Sequence, residues 1–249
     1  MSNDNIAFEI KNFEKIFKNN KGIKDISLKI HKGKITSILG HNGAGKTTLI
    51  KLITQELKPD KGEVLVQGQK PDKDFYQKIG FLPDQNSFPM DYKLKEFLVY
   101  NAILRGVQRD EANIKADDFL MKLGLEKYQN KTFRQLSAGM KKVALLAATM
   151  INDPEIIIMD EPTANLDIEN RSDLLGLIDE LAKAGKTIVI TSHILEELEG
   201  VTQNLIVIKD GVKEYDKPFD KGKEKLTEIY NQINNPDSKR ENKFKNVFN

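Results

Sequence analysis

Three stretches of this chain carry side chains suited to phosphate chemistry. The first is G-H-N-G-A-G-K-T, Gly40 to Thr47. Its glycines at 40, 43 and 45 let the backbone wrap closely around an anion. The amides of Gly40, His41, Asn42, Gly43, Ala44, Gly45, Lys46, Thr47 and Thr48, at the start of a helix, supply partial positive charge. Lys46 is expected to reach the β- and γ-phosphates of a nucleoside triphosphate, and the Thr47 hydroxyl to ligate Mg²⁺. The second stretch is I-I-I-M-D-E-P, Ile156 to Pro162. Asp160 ends an apolar strand, where side chains face a phosphate crevice, and a carboxylate there can hold Mg²⁺ through its water shell. Glu161 follows and is the expected general base for the attacking water, because phosphoryl transfer needs positioning and charge neutralisation more than covalent help. The third stretch is T-S-H, Thr191 to His193. His193, just after the strand Thr187 to Thr191, could contact the γ-phosphate and fix the attacking water, although a lone histidine is ordinarily a surface or capping residue.

The elements that must position these groups are legible in outline. Ile35 to Leu39 reads as a short apolar strand running into Gly40, and a helix is expected from Lys46 to about Leu57, stopped before Pro59. Asp25 to Ile30 alternates and reads as a half-buried strand of an antiparallel edge, followed by a turn at His31 to Gly33 with a solvent-facing histidine. Glu63 to Gln67 and Ile79 to Leu82 read as further strands. The runs Glu155 to Met159 and Thr187 to Thr191 are apolar or β-branched, as central parallel strands are. Leu205 to Ile208 and Val212 to Tyr215 flank Asp210-Gly211 as a hairpin.

Between these strands, residues 91 to 134 show helical stripes, Leu94, Phe97, Leu98 and Leu104 in one and Phe119, Leu120 and Leu123 in another. The expected fold is therefore α/β, a P-loop NTPase core with a mainly parallel central sheet, an antiparallel β-rich edge and an inserted α-helical subdomain. Residues 1–216 are expected to form the ATPase domain, with the helical subdomain at about 86–145. Residues 217–249 are expected as a C-terminal helix, carried by Leu226, Ile229, Tyr230 and Ile233, and a polar tail poorly ordered over its last dozen residues. That helix either docks on its own domain or pairs with a second copy.

Composition excludes several classes. The 249 residues, 31% charged and 39% hydrophobic, suit a large α/β domain. A net charge of +2 sets up no strong field for nucleic acid or membrane. The region from Lys217 onward is basic, with eight Lys and Arg against five Asp and Glu. No cysteine is present, so thiols say nothing of compartment. No apolar run approaches the roughly 20 residues needed to cross a bilayer, and M-S-N-D-N-I is not expected to be a secretion signal. Any membrane role must come through a partner.

The string L-S-A-G-M, Leu136 to Met140, shortly before the acidic strand end, resembles the signature of the ABC ATPase superfamily. Across roughly residues 6 to 215 the chain looks like the ATP-binding subunit of an ABC transporter. That resemblance implies an ATPase whose cofactors are ATP and Mg²⁺. It implies that Ser137 and Gly139 cover ATP bound by a second ATPase subunit, an identical copy or a paralogue. A-N-L-D, Ala164 to Asp167, is similar to the loop that crosses the dimer seam, and Phe17 matches the aromatic that stacks on adenine, its alternative being core packing. His193 stands where the family keeps its switch histidine, contacting the γ-phosphate. Ser137 is also a plausible helix N-cap.

Three departures from the family pattern stand out. Asp84 stands where glutamine is usual, with Gln85 one place later, and either oxygen could ligate Mg²⁺. Met140 replaces a glutamine, a form similar to exporters of drugs, lantibiotics and amphipathic peptides. Val143 and Ala148 stand where that branch often has arginines. The resemblance implies a transmembrane permease subunit as partner, no direct nucleic-acid contact, and a location at the cytoplasmic face of the cell membrane. Phe88, Met90 and Tyr92 are either part of a groove for a short helix of that permease or a local staple. The competing functions are a soluble ATP-gated clamp on DNA or ribosomes, and a regulatory domain that binds ATP without cleaving it. The first lacks its usual coiled-coil insertion, zinc module or tandem ATPase unit here. Lys46, Asp160, Glu161 and His193 argue against the second, which Asp84 leaves open.

Overall fold

Nine strands and eight α-helices organise the described residues of the computed structural model, which are 5–66, 68–84 and 89–234. Gln85 and Phe88, and the tail beyond residue 234, lie outside them.

The chain opens with β1 (Ile6–Ile16) and β2 (Gly22–His31), an antiparallel pair. With β4 (Lys61–Leu65) on the other flank of β1 they form a three-stranded sheet in the order β2-β1-β4. β1 is not evident from alternation alone. Ile6, Phe8 and Ile10 keep period two, but the register shifts between Ile10 and Phe13, where Asn12 takes a φ of 49°. β2 extends through His31, so that histidine is a half-buried strand residue rather than a solvent-facing turn residue.

β3 (Ile35–Leu39) leads through the glycine-rich loop to α1 (Lys46–Ile53). α1 ends four residues before Leu57, because Gln55 turns left-handed at φ 61° and the Leu57 amide donates to the Lys51 carbonyl at 2.9 Å. A short α2 (Lys73–Gln77), capped by the Asp72 carboxylate on the Phe75 amide, precedes β5 (Ile79–Leu82). The remaining elements are α3 (Leu94–Leu104), α4 (Arg109–Lys122), α5 (Ala138–Met150), β6 (Ile156–Asp160), α6 (Ile168–Lys183), β7 (Thr187–Ser192), α7 (Leu195–Leu198), β8 (Asn204–Lys209), β9 (Val212–Pro218) and α8 (Leu226–Asn234).

The central sheet runs β5-β6-β7-β3-β8-β9, parallel except for the β8/β9 hairpin. Its strands bury both faces. Ile38, Ile158, Val189 and Ile206 pack toward the antiparallel sheet with Phe8, Ile10 and Phe13. Leu39, Ile157, Met159, Ile188 and Ile190 pack the other way, against Leu174 and Ile178 of α6. α8 closes that second layer with buried Leu226 and half-buried Ile229, Tyr230 and Ile233, so it docks on its own domain. A third core joins α3, α4 and α5 around Leu94, Leu98, Leu120 and Phe133. α4 meets it mainly through Ala112 and Ala116, and Leu104 points outward where α3 ends before Gly106. α5 serves both layers, giving Leu146 and Met150 to the sheet and Ala144, Ala147 and Ala148 to the helices.

Candidate functional site

Parallel strands bring their C-terminal ends to one edge of the sheet. Leu39 of β3 pairs with Ser192 of β7, and Asp160 of β6 pairs with Thr191. The loops that follow these ends therefore meet. A cleft of about 480 Å³ opens there, lined by Phe17, Lys21, Asn42, Gly43, Gly45, Lys46, Thr47, Thr48, Asp84, Glu161, Ala164 and His193, among others.

The glycine-rich loop reaches this geometry through backbone only glycine tolerates. Gly45 sits at φ 113°, and a Cβ there would lie 2.8 Å from Ile23 Cδ1 and 3.2 Å from the Gly22 carbonyl. Gly45 is also the N-cap of α1, and no side chain caps that helix. Its leading amides thus point into the cleft as anion donors. Ala44 is fully buried, its amide donating to the His41 carbonyl at 3.0 Å. His41 sits at the rim, its Nε2 3.3 Å from Asp210.

Lys46 is buried, with Nζ donating to the Gly40 carbonyl at 2.7 Å and lying 3.3 Å from Glu161 Oε1. The other oxygen of Glu161 accepts from His193 Nδ1 at 2.8 Å and from the His193 amide at 3.3 Å. Glu161 itself is held at φ 48°, an uncommon backbone for a non-glycine residue, by its amide donating to the Thr191 carbonyl and hydroxyl at 3.2 and 3.1 Å. Behind it Asp160 is buried and accepts from the Thr191 and Thr47 hydroxyls. Burial pushes its carboxyl above the usual carboxylate range, those two hydroxyls pull it back, and the charges of Asp84 and Glu161 push it up again.

Phe17 follows β1 at the cleft mouth, 39% exposed and so free of the core. Asp84 is exposed on the cleft wall. Gln85 lies outside the described residues. Ser137 and Gly139 do not join this cleft. Ser137 is exposed and caps α5, its hydroxyl accepting from the Met140 amide at 3.2 Å. Gly139 is buried against α6, where a Cβ would fall 1.9 Å from Asn170 Oδ1. The loop between β6 and α6 is tied down by Arg171, whose guanidinium donates to the Leu166 carbonyl at 3.1 Å and pairs with Glu197 of α7.

The sequence reading missed two cations at this edge. Lys21 lines the cleft mouth, and nothing in its neighbourhood marks it out. Lys142 is buried on α5. Burial lowers its ammonium, while the charges of Asp84, Asp160 and Glu161 raise it. Its signal was present: a lysine at the sheet-facing spacing of Leu146 and Thr149.

Comparison with known proteins decides what carries this cleft. A family model described as "ABC transporter" matches residues 23–164. The chain belongs to the ABC transporter family, as an ATP-binding subunit. It is 36% identical over 195 residues to the ABC transporter ATP-binding protein NatA of Bacillus subtilis (strain 168), covering 77% of this chain and 79% of that protein. It is 32% identical over 206 residues to the SkfA peptide export ATP-binding protein SkfE of the same organism, covering 82% and 85%. A solved ATP-binding cassette of an ABC transporter in its ADP conformation superposes with a TM-score of 0.77 at 25% identity, over 93% of this chain and 96% of that one. The ABC ATPase is thus a P-loop α/β protein that binds and hydrolyses ATP. No helix among the described residues is long and apolar enough to cross a membrane.

Proposed function

We propose that this ABC ATPase drives a membrane exporter, pairing with a second ATPase subunit on ATP and docking at the cytoplasmic face on a separate transmembrane permease. The observation that carries the reading is the division of the site. The phosphate loop, Glu161 and His193 converge in one cleft, while Ser137 presents an exposed helix N-terminus elsewhere. A signature surface facing away from its own cleft is suited to a triphosphate held by another subunit.

In this assignment Lys46 and the loop amides, from Gly40 through His41, Asn42, Gly43, Ala44 and Gly45 to Thr47 and Thr48, grip the phosphates. Phe17 stacks on adenine. Ser137 and Gly139 belong to the site of the facing subunit. Thr47 and Asp160, with either Asp84 or Gln85, would supply the oxygens for Mg²⁺. Hard oxygen donors around a buried carboxylate suit that ion, which takes one or two carboxylates plus substrate phosphates. Bound there, Mg²⁺ would neutralise charge on the β- and γ-oxygens.

Glu161 orients water and takes its proton as the water oxygen bonds to the γ-phosphorus and the bond from that phosphorus to the β–γ bridging oxygen breaks, leaving ADP and phosphate. Before ATP arrives its carboxylate is engaged by Lys46 and His193. A γ-phosphate competing for Lys46 frees one oxygen, and His193 keeps the other in register. Closure then follows γ-phosphate contacts, and their loss on cleavage reopens the pair. The peptide or drug class of cargo rests on the L-S-A-G-M string and on the likeness to a peptide export subunit.

Substituting Glu161→Gln tests this directly. With ATP and Mg²⁺ the variant should elute as a dimer on a sizing column and hydrolyse ATP roughly 100- to 1000-fold more slowly. A variant that stays monomeric under those conditions overturns the shared site. A polytopic hydrophobic protein co-purifying with the wild type supports transport; ribosomes or DNA in its place would support a clamp.

A further inference from the structure

Two lysines line the cleft, Lys46 and Lys21. Lys46 is committed within the chain, to the Gly40 carbonyl and to Glu161. Lys21 sits in the turn between β1 and β2. It is exposed, and among the described residues its ammonium makes no ion pair and no hydrogen bond. An exposed lysine on a hairpin turn is ordinarily solvated and without a task. What sets Lys21 apart is where its backbone is held.

The turn closes on the aromatic residue at the cleft mouth. The Phe17 amide donates to the Lys21 carbonyl at 2.8 Å, and the Asn20 amide to the Phe17 carbonyl at 2.9 Å. The Asn19 side-chain oxygen accepts from the Lys21 amide at 3.1 Å, and Asn20 supplies a left-handed bend at φ 58°, which asparagine tolerates. The next residue packs on the phosphate loop: the Gly22 carbonyl lies 3.2 Å from the position a Cβ on Gly45 would take. Gly211, in the turn between β8 and β9, donates its amide to the Ala44 carbonyl at 2.9 Å, and its own carbonyl accepts from the Lys24 amide at 2.8 Å. The hairpin end, that turn and the phosphate loop are thus joined backbone to backbone. Lys21 is fixed between Phe17 and Gly45.

A nucleotide with its base on Phe17 and its outer phosphates on the amides that open α1 must lay its sugar and innermost phosphate along that stretch. The α-phosphate then comes beside Lys21. A flexible four-carbon stem rooted there carries a point charge of the kind that binds phosphate.

We propose that Lys21 is a nucleotide-binding residue whose ammonium contacts the α-phosphate at the cleft mouth. This rests on the assignment of the cleft to ATP made above. The role differs from that of Lys46. Cleavage leaves the α-phosphate unaltered, so a contact there is made equally with ATP and with ADP, and it strengthens binding without speeding the chemical step. Lys21 therefore still holds ADP after the γ-phosphate has left.

The test compares K21M, K21R and K18M in the full chain, reading KM and kcat for MgATP hydrolysis and Kd for MgADP. Lys18 shares the turn and the charge but does not line the cleft. K21M should raise the KM for MgATP and the Kd for MgADP together, each about tenfold, with kcat within about twofold of wild type. K21R should keep both constants within about threefold of wild type, and K18M within about twofold. Substituting an exposed side chain with no partner should leave the melting temperature unchanged. Unchanged constants in K21M overturn the proposal. So does a loss confined to MgATP, which would put the contact on the γ-phosphate, and so does an equal loss in K18M, which would mean a diffuse field. K46A in the same assays separates this role from the assignment beneath it. If K46A binds MgATP like wild type, the assignment of the cleft fails; if K46A loses MgATP and K21M does not, only the role of Lys21 fails.

Discussion

Two faces of this ATPase handle charge in opposite ways. Around the cleft, the groups at its catalytic end are already engaged within the chain. Lys46 is shared between the Gly40 carbonyl and Glu161, Glu161 between Lys46 and His193, and Asp160 between two hydroxyls. At the tip of α5, Ser137 is exposed, with its hydroxyl spent on the cap and nothing beyond it. The first face is preorganised and waits only for substrate. The second is closely packed behind its exposed tip, with Gly139 against Asn170. An exposed tip of this kind fits the proposed shared site, in which part of the donors would come from a second subunit.

The strongest way to break the contrast is to disable the closed face. K46A removes the buried ammonium that pairs with Glu161, and should reduce ATP turnover about a thousandfold. It also leaves Glu161 held by His193 alone. Normal turnover in K46A would mean that the cleft is not the ATP site. A second experiment uses both faces at once. An S137R variant blocks the open face and leaves the cleft intact. Mixing inactive K46A with inactive S137R should restore a substantial fraction of activity, roughly a quarter to a half, because a mixed pair contains one site free of both lesions. No recovery on mixing, with pairing of the two shown by crosslinking, would place a complete site in each chain.

The same contrast separates what the sequence made legible from what it hid. The phosphate loop, the strand ending at Asp160 and the strand before His193 are contiguous strings, each fixed by local backbone demands. β3 and β5 accordingly match the expected ranges residue for residue. What eluded pattern reading depends on contacts between distant segments. β1 lost its alternation to the bulge at Asn12, and α2 is a single capped turn. Leu104 shared the helical stripe but fell at the end of α3, where no neighbour covers it. Periodicity reports which face a side chain takes, and not which segment waits there.

Arg171 sharpens the comparison from the loop between β6 and α6. It pairs with Glu197, whose side chain is 6% exposed, and neither carboxylate oxygen of Glu197 receives a directed hydrogen bond. R171A should destabilise the protein by about 3 kcal/mol, because it strands a buried carboxylate. It also releases the Leu166 carbonyl, loosening the loop between Glu161 and α6. Replacing Arg171 and Glu197 together with leucines should recover most of that stability in thermal melts. If ATP turnover nevertheless stays low in the double variant, the pair serves the loop, and packing alone does not account for it.

The smallest effect expected is also the most diagnostic, because stability and function should move in opposite directions. Burial raises the Asp160 carboxyl above its ordinary value of 3.8, so the folded protein holds that proton to higher pH than the unfolded chain does. Between 3.8 and the raised value, the unfolded chain binds fewer protons, and this group's contribution to stability falls as pH rises; above the raised value the penalty is complete and constant. At neutral pH the buried charge therefore weighs against folding. D160N keeps the shape and removes the charge. It should stabilise the nucleotide-free protein by about 1 kcal/mol, a rise of roughly 2–4 °C in melting temperature for a chain of this size. The gain should shrink as pH is lowered toward 3.8, where the wild-type carboxyl is itself protonated in the fold. MgATP binding should weaken in the same variant. A D160N protein that melts lower at neutral pH would mean that the hydroxyls of Thr47 and Thr191 more than offset the cost of burying Asp160, and that the charge supports the fold as well as the chemistry.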